Sequence, residues 1–296
     1  MVSRQRLRRP LVAAIALATT SVLLAGCGAN AHVAARTTTT IAGKVPSRAE
    51  QAAALFATTR YRRQIVQAAE GFSTSVNALD GALRSGDRQA AIKAWAAAQG
   101  SFDVLRPVLL GGPASSATYD GQLLAGSKTK GQGLHAIERA LFQGPLSDGL
   151  AAMPELRAAG PQLVIGLFRT ILQPSAIAVN QVHALGFLAD HVLSSSQERV
   201  SHRDLVDVLA IIHAVRGGFN ALHPLANLVD PKQLSATSTG LDQVDALLST
   251  LPPGATDAEV PTEVWARLGR LVSVLQFDFG QLAGSTAGYS SGRYYA

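Results

Sequence analysis

From Ser47 to about Arg84 apolar residues recur at helical spacing, at Leu55, Ile65, Val66, Phe72, Val76, Leu79 and Leu83. A run of that length predicts one long helix, with an apolar stripe that neighbouring elements must cover. Ser47 and Glu50 have the Ser-x-x-Glu spacing of a capping box, so folded structure is expected to begin at Pro46–Glu50. Ser85-Gly86-Asp87 breaks the run, and Asp87 is a good N-cap for a second helix through Ala91, Trp95, Ala98, Phe102 and Leu105, ending near Pro107–Leu110. Loops are expected at Gly111–Thr118 and Gly126–Gln132, around a short helical turn at Tyr119–Ala125.

Helical periodicity continues at about Leu150–Ala159, Gln162–Leu172, Ser175–Leu193, His202–Asn227, Pro231–Ser249 and Pro261–Leu282. Pro174, Gly217-Gly218 and Pro252-Pro253-Gly254 punctuate these runs, and Pro224 is expected to kink or divide the fourth. Ser201–Asp204 looks like a capped helix start. No apolar–polar alternation is long enough for a strand. Ala and Leu dominate, and aromatics make up only 5% of the chain. The expected fold is all-α, two packed four-helix-type bundles joined near Gly144–Gly160.

The first 27 residues have another purpose. Arg4, Arg6, Arg8 and Arg9 form a positive n-region, and Leu11–Leu24 an apolar stretch too short for a comfortable membrane span. Leu24-Ala25-Gly26-Cys27 then matches a bacterial lipobox. Residues 1–26 are therefore read as a lipoprotein signal peptide and Cys27 as the lipidated residue, with membrane lipid as its partner. Residues 27–46, small and polar, form a tether that reaches roughly 25 Å as a random coil. The expected location is the outer face of the cell membrane, periplasmic or cell-surface. Cys27 is the only cysteine, so the mature domain has no disulfide, no thiolate metal site and no Cys nucleophile.

The net charge of +6 owes four charges to the signal region; without them 22 basic residues face 20 acidic ones. No basic stripe interleaves with aromatics, which excludes a nucleic-acid binder. There is no His-Glu-x-x-His helix, no Gly-x-Ser-x-Gly elbow and no phosphate-cradling glycine loop. His213 and His223 lie on apolar runs and are expected at core or boundary positions.

One pair carries candidate chemistry. In Gly133-Leu134-His135-Ala136-Ile137-Glu138, His135 and Glu138 stand three residues apart and project from nearly the same helix face. An imidazole nitrogen and a carboxylate oxygen so placed can share one metal ion. The spacing alone also fits an ordinary i,i+3 helix pair.

Three segments, in order, resemble the imelysin (peptidase M75) family, especially its EfeO/EfeM-type iron-uptake lipoproteins. They are Arg84-Ser85-Gly86-Asp87 with Ala91 and Trp95; Phe102-Asp103-Val104-Leu105-Arg106-Pro107; and the Gly-x-His-x-x-Glu stretch Gly133–Glu138, continued by Leu141-Phe142. The resemblance implies an imelysin-like domain over residues 47–283, with 284–296 as a tail. It implies His135, Glu138, Asp103 and Asp120 as metal ligands, iron or another divalent or trivalent ion as cargo, and an iron permease and a peroxidase as partners. It departs from the family at Arg106, which stands where a second acid is usual, and at Asp103, which is one methylene shorter than the usual glutamate. Arg106 is read either as a cation that displaces the metal or as a contact for an anionic chelate. The expected function is capture of the ion at the cell surface and delivery to the permease, not peptidase catalysis. The alternatives are a metal-free interaction lipoprotein on the same scaffold and an imelysin-type metallopeptidase.

Overall fold

Residues 45–111, 133–193, 201, 203–252 and 255–289 are described by a computed structural model. Among them are eight α-helices and no strand. They are α1 (Arg48–Ser85), α2 (Arg88–Gly111), α3 (Leu134–Phe142), α4 (Leu146–Arg169), α5 (Pro174–Phe187), α6 (Asp204–Val229), α7 (Pro231–Leu248) and α8 (Thr262–Thr286). A π-helical turn, Leu188–Val192, extends α5, and a 3-10 turn, Asp257–Glu259, precedes α8. Cys27, the tether up to residue 44, Asp120, the turn at Tyr119–Ala125 and His202 lie outside the described residues.

The ends of the helices follow their local chemistry. At the start of α1 the Ser47 hydroxyl accepts from the Glu50 N–H at 3.2 Å, and the Glu50 carboxylate accepts from the Ser47 N–H at 2.6 Å, which is the expected capping box. Gly86 closes α1 with φ 76°, a left-handed conformation that a side chain disfavours. Asp87 then caps α2 by accepting from the Ala90 N–H at 2.9 Å. The start of α6 is capped from elsewhere in the chain. Asp257, 52 and 53 residues on, accepts from the N–H groups of Leu205 and Asp204 at 2.9 and 3.0 Å.

α1 to α4 pack among themselves, as do α5 to α8, and the two groups meet through α1 and α2 against α5 and α6. One apolar core runs through both, from Ala57 to Leu282, with Trp95, Phe72, Phe102 and Phe279 fully buried in it. The groups are joined at Thr170–Gln173, not near Gly144–Gly160, because α4 continues from Leu146 to Arg169 through both Pro154 and Pro161. Pro224 likewise sits inside a continuous α6. Burial against neighbouring helices outweighs the hydrogen bond that each proline removes. Ile41–Ala296 forms one compact unit, so a chain beginning at Gly28 keeps the entire core.

Gly217 and Gly218 serve as a contact, not a break. A Cβ on Gly218 would lie 2.4 Å from Nε2 of Gln181, a fully buried side chain on α5 that donates to the Tyr61 hydroxyl and the Ile177 carbonyl. That side chain cannot swing into solvent. Gly218→Ala is expected to destabilise the fold by about 1–3 kcal/mol through overpacking. Gly280→Ala, where a Cβ meets nothing within 4 Å, should stabilise it by about 0.5–1 kcal/mol. Urea unfolding of the two variants beside wild type checks both signs.

Candidate metal centre

α3 has only nine residues, too short to be stable alone, and α2 holds it at both ends. The Trp95 indole N–H donates to the Leu134 carbonyl at 3.1 Å. Arg88 donates to the carbonyls of Ala140 (3.0 Å), Leu141 and Gly144 (2.9 Å), satisfying acceptors at the helix C-terminus. Phe142 meets the Trp95 ring edge-on at 5.9 Å. Gly133 enters the helix at φ 82°, where other residues are strained. Residue spacing put Trp95 on the second helix but gave no signal for Arg88, whose partners are backbone atoms more than fifty residues away.

This clamp fixes His135 and Glu138. His135 Nδ1 and Glu138 Oε2 are 3.1 Å apart, with His135 partly exposed and Glu138 buried. The other carboxylate oxygen, Oε1, accepts from the Ser201 N–H at 2.8 Å, which ties the approach to α6 onto α3. Burial alone would push the Glu138 carboxyl up. Hydrogen bonds from His135 and from the Ser201 backbone and side chain outweigh it and hold the group below the usual glutamate value.

The spacing suits chelation. Two donors at right angles, each about 2.1 Å from one ion, stand about 3.0 Å apart. His135 Nδ1 and Glu138 Oε2 can therefore fill two adjacent coordination positions once Nδ1 is deprotonated. Among the described residues no three His, Cys, Asp or Glu side chains converge on a point that could hold an ion.

Asp103 is engaged in a different interaction. Its Oδ1 accepts from Arg106 Nε at 2.8 Å and also from Nη2, and Gln99 Nε2 lies 3.4 Å from Oδ2. Both members of this ion pair are fully buried. The Arg106 guanidinium stacks on Phe187 at 4.0 Å and faces Phe102 at 5.5 Å. Asp103 also sits two turns, about 12 Å, along α2 from Trp95, which meets the start of α3. A chelate in solvent does not reach Arg106, because its side chain has no exposed surface. Phe187 reaches it just before the π-helical turn at Leu188–Val192, a feature with no signal in residue spacing. His213 and His223 are solvent-facing on α6, not in the core, and His223 stands edge-on to Phe219.

A family model described as Imelysin, peptidase M75, matches residues 57–268. The chain belongs to the imelysin family. No curated protein matches it. In this imelysin the Gly133–Glu138 stretch and the Asp103–Arg106 segment both fall inside the matched range, on α3 and α2.

Two outcomes follow from this geometry. Arg106→Met strands the buried Asp103 carboxylate and should cost about 3–5 kcal/mol, whereas Arg106→Met combined with Asp103→Leu should recover part of that loss; urea unfolding of the single and double variants separates them. The Glu138 carboxyl is depressed in the folded state. Its stabilisation is therefore complete above its unfolded pKa and disappears as pH falls through the lower folded value. The Tm difference between wild type and Glu138→Gln should be largest near neutrality and vanish in strong acid.

Proposed function

We propose that this imelysin is an extracytoplasmic lipoprotein that captures iron, or another divalent or trivalent ion, for an EfeO/EfeM-like uptake system. The ion is cargo, passed to a membrane permease, with a peroxidase as a second partner of the system. The observation that carries the proposal is the His135–Glu138 pair, 3.1 Å apart on a helix clamped at both ends. A nitrogen and a carboxylate oxygen form a donor set of intermediate hardness that suits iron better than soft Cu(I). Asp120 is the further carboxylate in this reading, and Asp103 is assigned to the Arg106 ion pair. The ion takes the place of the Nδ1–Oε2 contact, and protonation of either ligand competes with it, so binding weakens as pH falls. Release follows ligand protonation, a redox change or docking on the permease.

The lipobox at Leu24–Cys27 supports anchoring through a lipidated Cys27. Hydrolysis has no part in the proposal, because His-x-x-Glu lacks the second histidine of a zinc-peptidase helix. A metal-free interaction lipoprotein is the second reading. Arg106 favours it, because a buried cation neutralises the one other carboxylate that the family resemblance assigns to the ion among the described residues.

Calorimetric titration of the unlipidated chain beginning at Gly28, with ferrous and ferric iron, decides between them. The metal reading expects one ion per chain and at least a tenfold loss of affinity in His135→Ala and in Glu138→Ala. Equal weak binding by all three proteins establishes the metal-free reading. For the anchor, Cys27→Ala should move the exported protein from the membrane to the soluble fraction.

A further inference from the structure

α1 and α4 run antiparallel. Leu83 meets Gly149, Ser73 meets Gly160, and Arg62 donates to the carbonyls of Leu167, Phe168 and Thr170. The C-terminal end of α4 therefore lies beside the N-terminal third of α1, the end from which the tether departs. Large apolar side chains are exposed there. Phe168 is 66% and Ile171 83% exposed, and Ile165 is exposed three residues before Phe168 on the same face. Leu55, also exposed, precedes Arg62 by two helical turns and so lies on the same α4-facing flank of α1, with exposed Phe56 beside it. Arg62 uses its guanidinium on the carbonyls at the α4 terminus, holding Phe168 and Ile171 in place instead of letting that end fray.

The two segments that contribute this apolar face carry charge of one sign. No acidic residue occurs between Glu50 and Glu70, or between Glu155 and Asp190. Arg60, Arg63 and Arg169 are exposed within those stretches. An apolar patch flanked by arginines and without carboxylates on either contributing segment fits a surface that is apolar below and anionic at its boundary. The length and attachment of the tether identify that surface. α1 begins seven residues before Leu55, and under the anchor reading residues 28–46, taken as a random coil with a reach of roughly 25 Å, hold this end of the helix near the membrane that carries Cys27.

We infer that the face formed by Leu55, Phe56, Ile165, Phe168 and Ile171, with Arg60, Arg63 and Arg169, docks on the anionic phospholipid surface of the membrane to which the chain is tethered. Its orientation rests on the lipid-anchor reading, but its chemistry does not require the acyl group. On docking, Phe168 and Ile171 enter the headgroup–acyl boundary while the arginines displace counterions from lipid phosphates. The contact is weak on its own and becomes effective because the tether holds the domain at high local concentration.

The test uses the unlipidated chain beginning at Gly28, so loss of vesicle binding and loss of Cys27 lipidation are read in separate experiments. Sedimentation with vesicles of phosphatidylglycerol and phosphatidylcholine at low salt should carry the protein down. Vesicles of phosphatidylcholine alone, or high salt, should reduce binding at least tenfold. Phe168→Ser with Ile171→Ser should also reduce it at least tenfold at unchanged Tm, since both side chains are solvent-facing. Arg63→Glu with Arg169→Glu is an independent variant at exposed positions and should abolish the preference for anionic lipid. The inference is overturned by absence of binding to anionic vesicles at low salt, or by equal binding of wild type and both variants. It is also overturned if sedimentation velocity shows a dimer that Phe168→Ser with Ile171→Ser dissociates, which would assign the face to a second copy of the chain.

Discussion

The centre of α2 is organised by a carboxylate and a guanidinium one turn apart, Asp103 and Arg106, neither with any exposed surface. Each charge alone would lose several kcal/mol of hydration on burial. Together, with Gln99 at the second carboxylate oxygen and Phe187 against the guanidinium face, they form an ion pair that an apolar bundle can enclose. The pair also links the two helix groups, because α2 carries both charges and α5 supplies Phe187. An acid at position 106 would reverse the electrostatics, with two carboxylates at i and i+3 demanding a cation. In this chain the cation is covalently built in.

That exchange moves the emphasis of the candidate site to α3. A nine-residue helix is a poor support for chemistry unless something else fixes it, and α2 does so through backbone carbonyls. Trp95 takes the carbonyl at one end and Arg88 three carbonyls at the other. Glu138 is then restrained twice, by His135 on one oxygen and by Ser201 on the other. A change of partner at Oε1 would detach the segment that leads into α6.

Most of the helical architecture was legible because local signals and tertiary burial agree. Ser47 with Glu50, Gly86 and Asp87 mark boundaries that the structure places within a residue or two. Pro154, Pro161 and Pro224 misled, because proline reports a missing hydrogen bond and not the packing that compensates for it. Gly217-Gly218 misled in the opposite sense, since a residue that breaks isolated helices also permits close approach between packed ones. For the candidate site, spacing revealed that His135 and Glu138 share a face, and the structure sets them 3.1 Å apart. Spacing was silent on Arg88 and Ser201, which act through backbone atoms far away in sequence, and on the aromatic lid that Phe187 places over Arg106.

The antiparallel pairing of α1 and α4 adds a directional consequence. Leu83 and Gly149 mark one end of that pair, and Ala140 of α3 packs on the same glycine. Arg62 and Phe168 mark the other. Phe72 against Phe102 and Leu83 near the α1–α2 turn place Trp95, and hence the start of α3, about level with Leu79. From Arg62 to Leu79 is 17 residues, about 25 Å along the helix. The Phe168 face and the His135–Glu138 pair therefore stand toward opposite ends of the α1–α4 pair, and a contact at the first leaves the second uncovered.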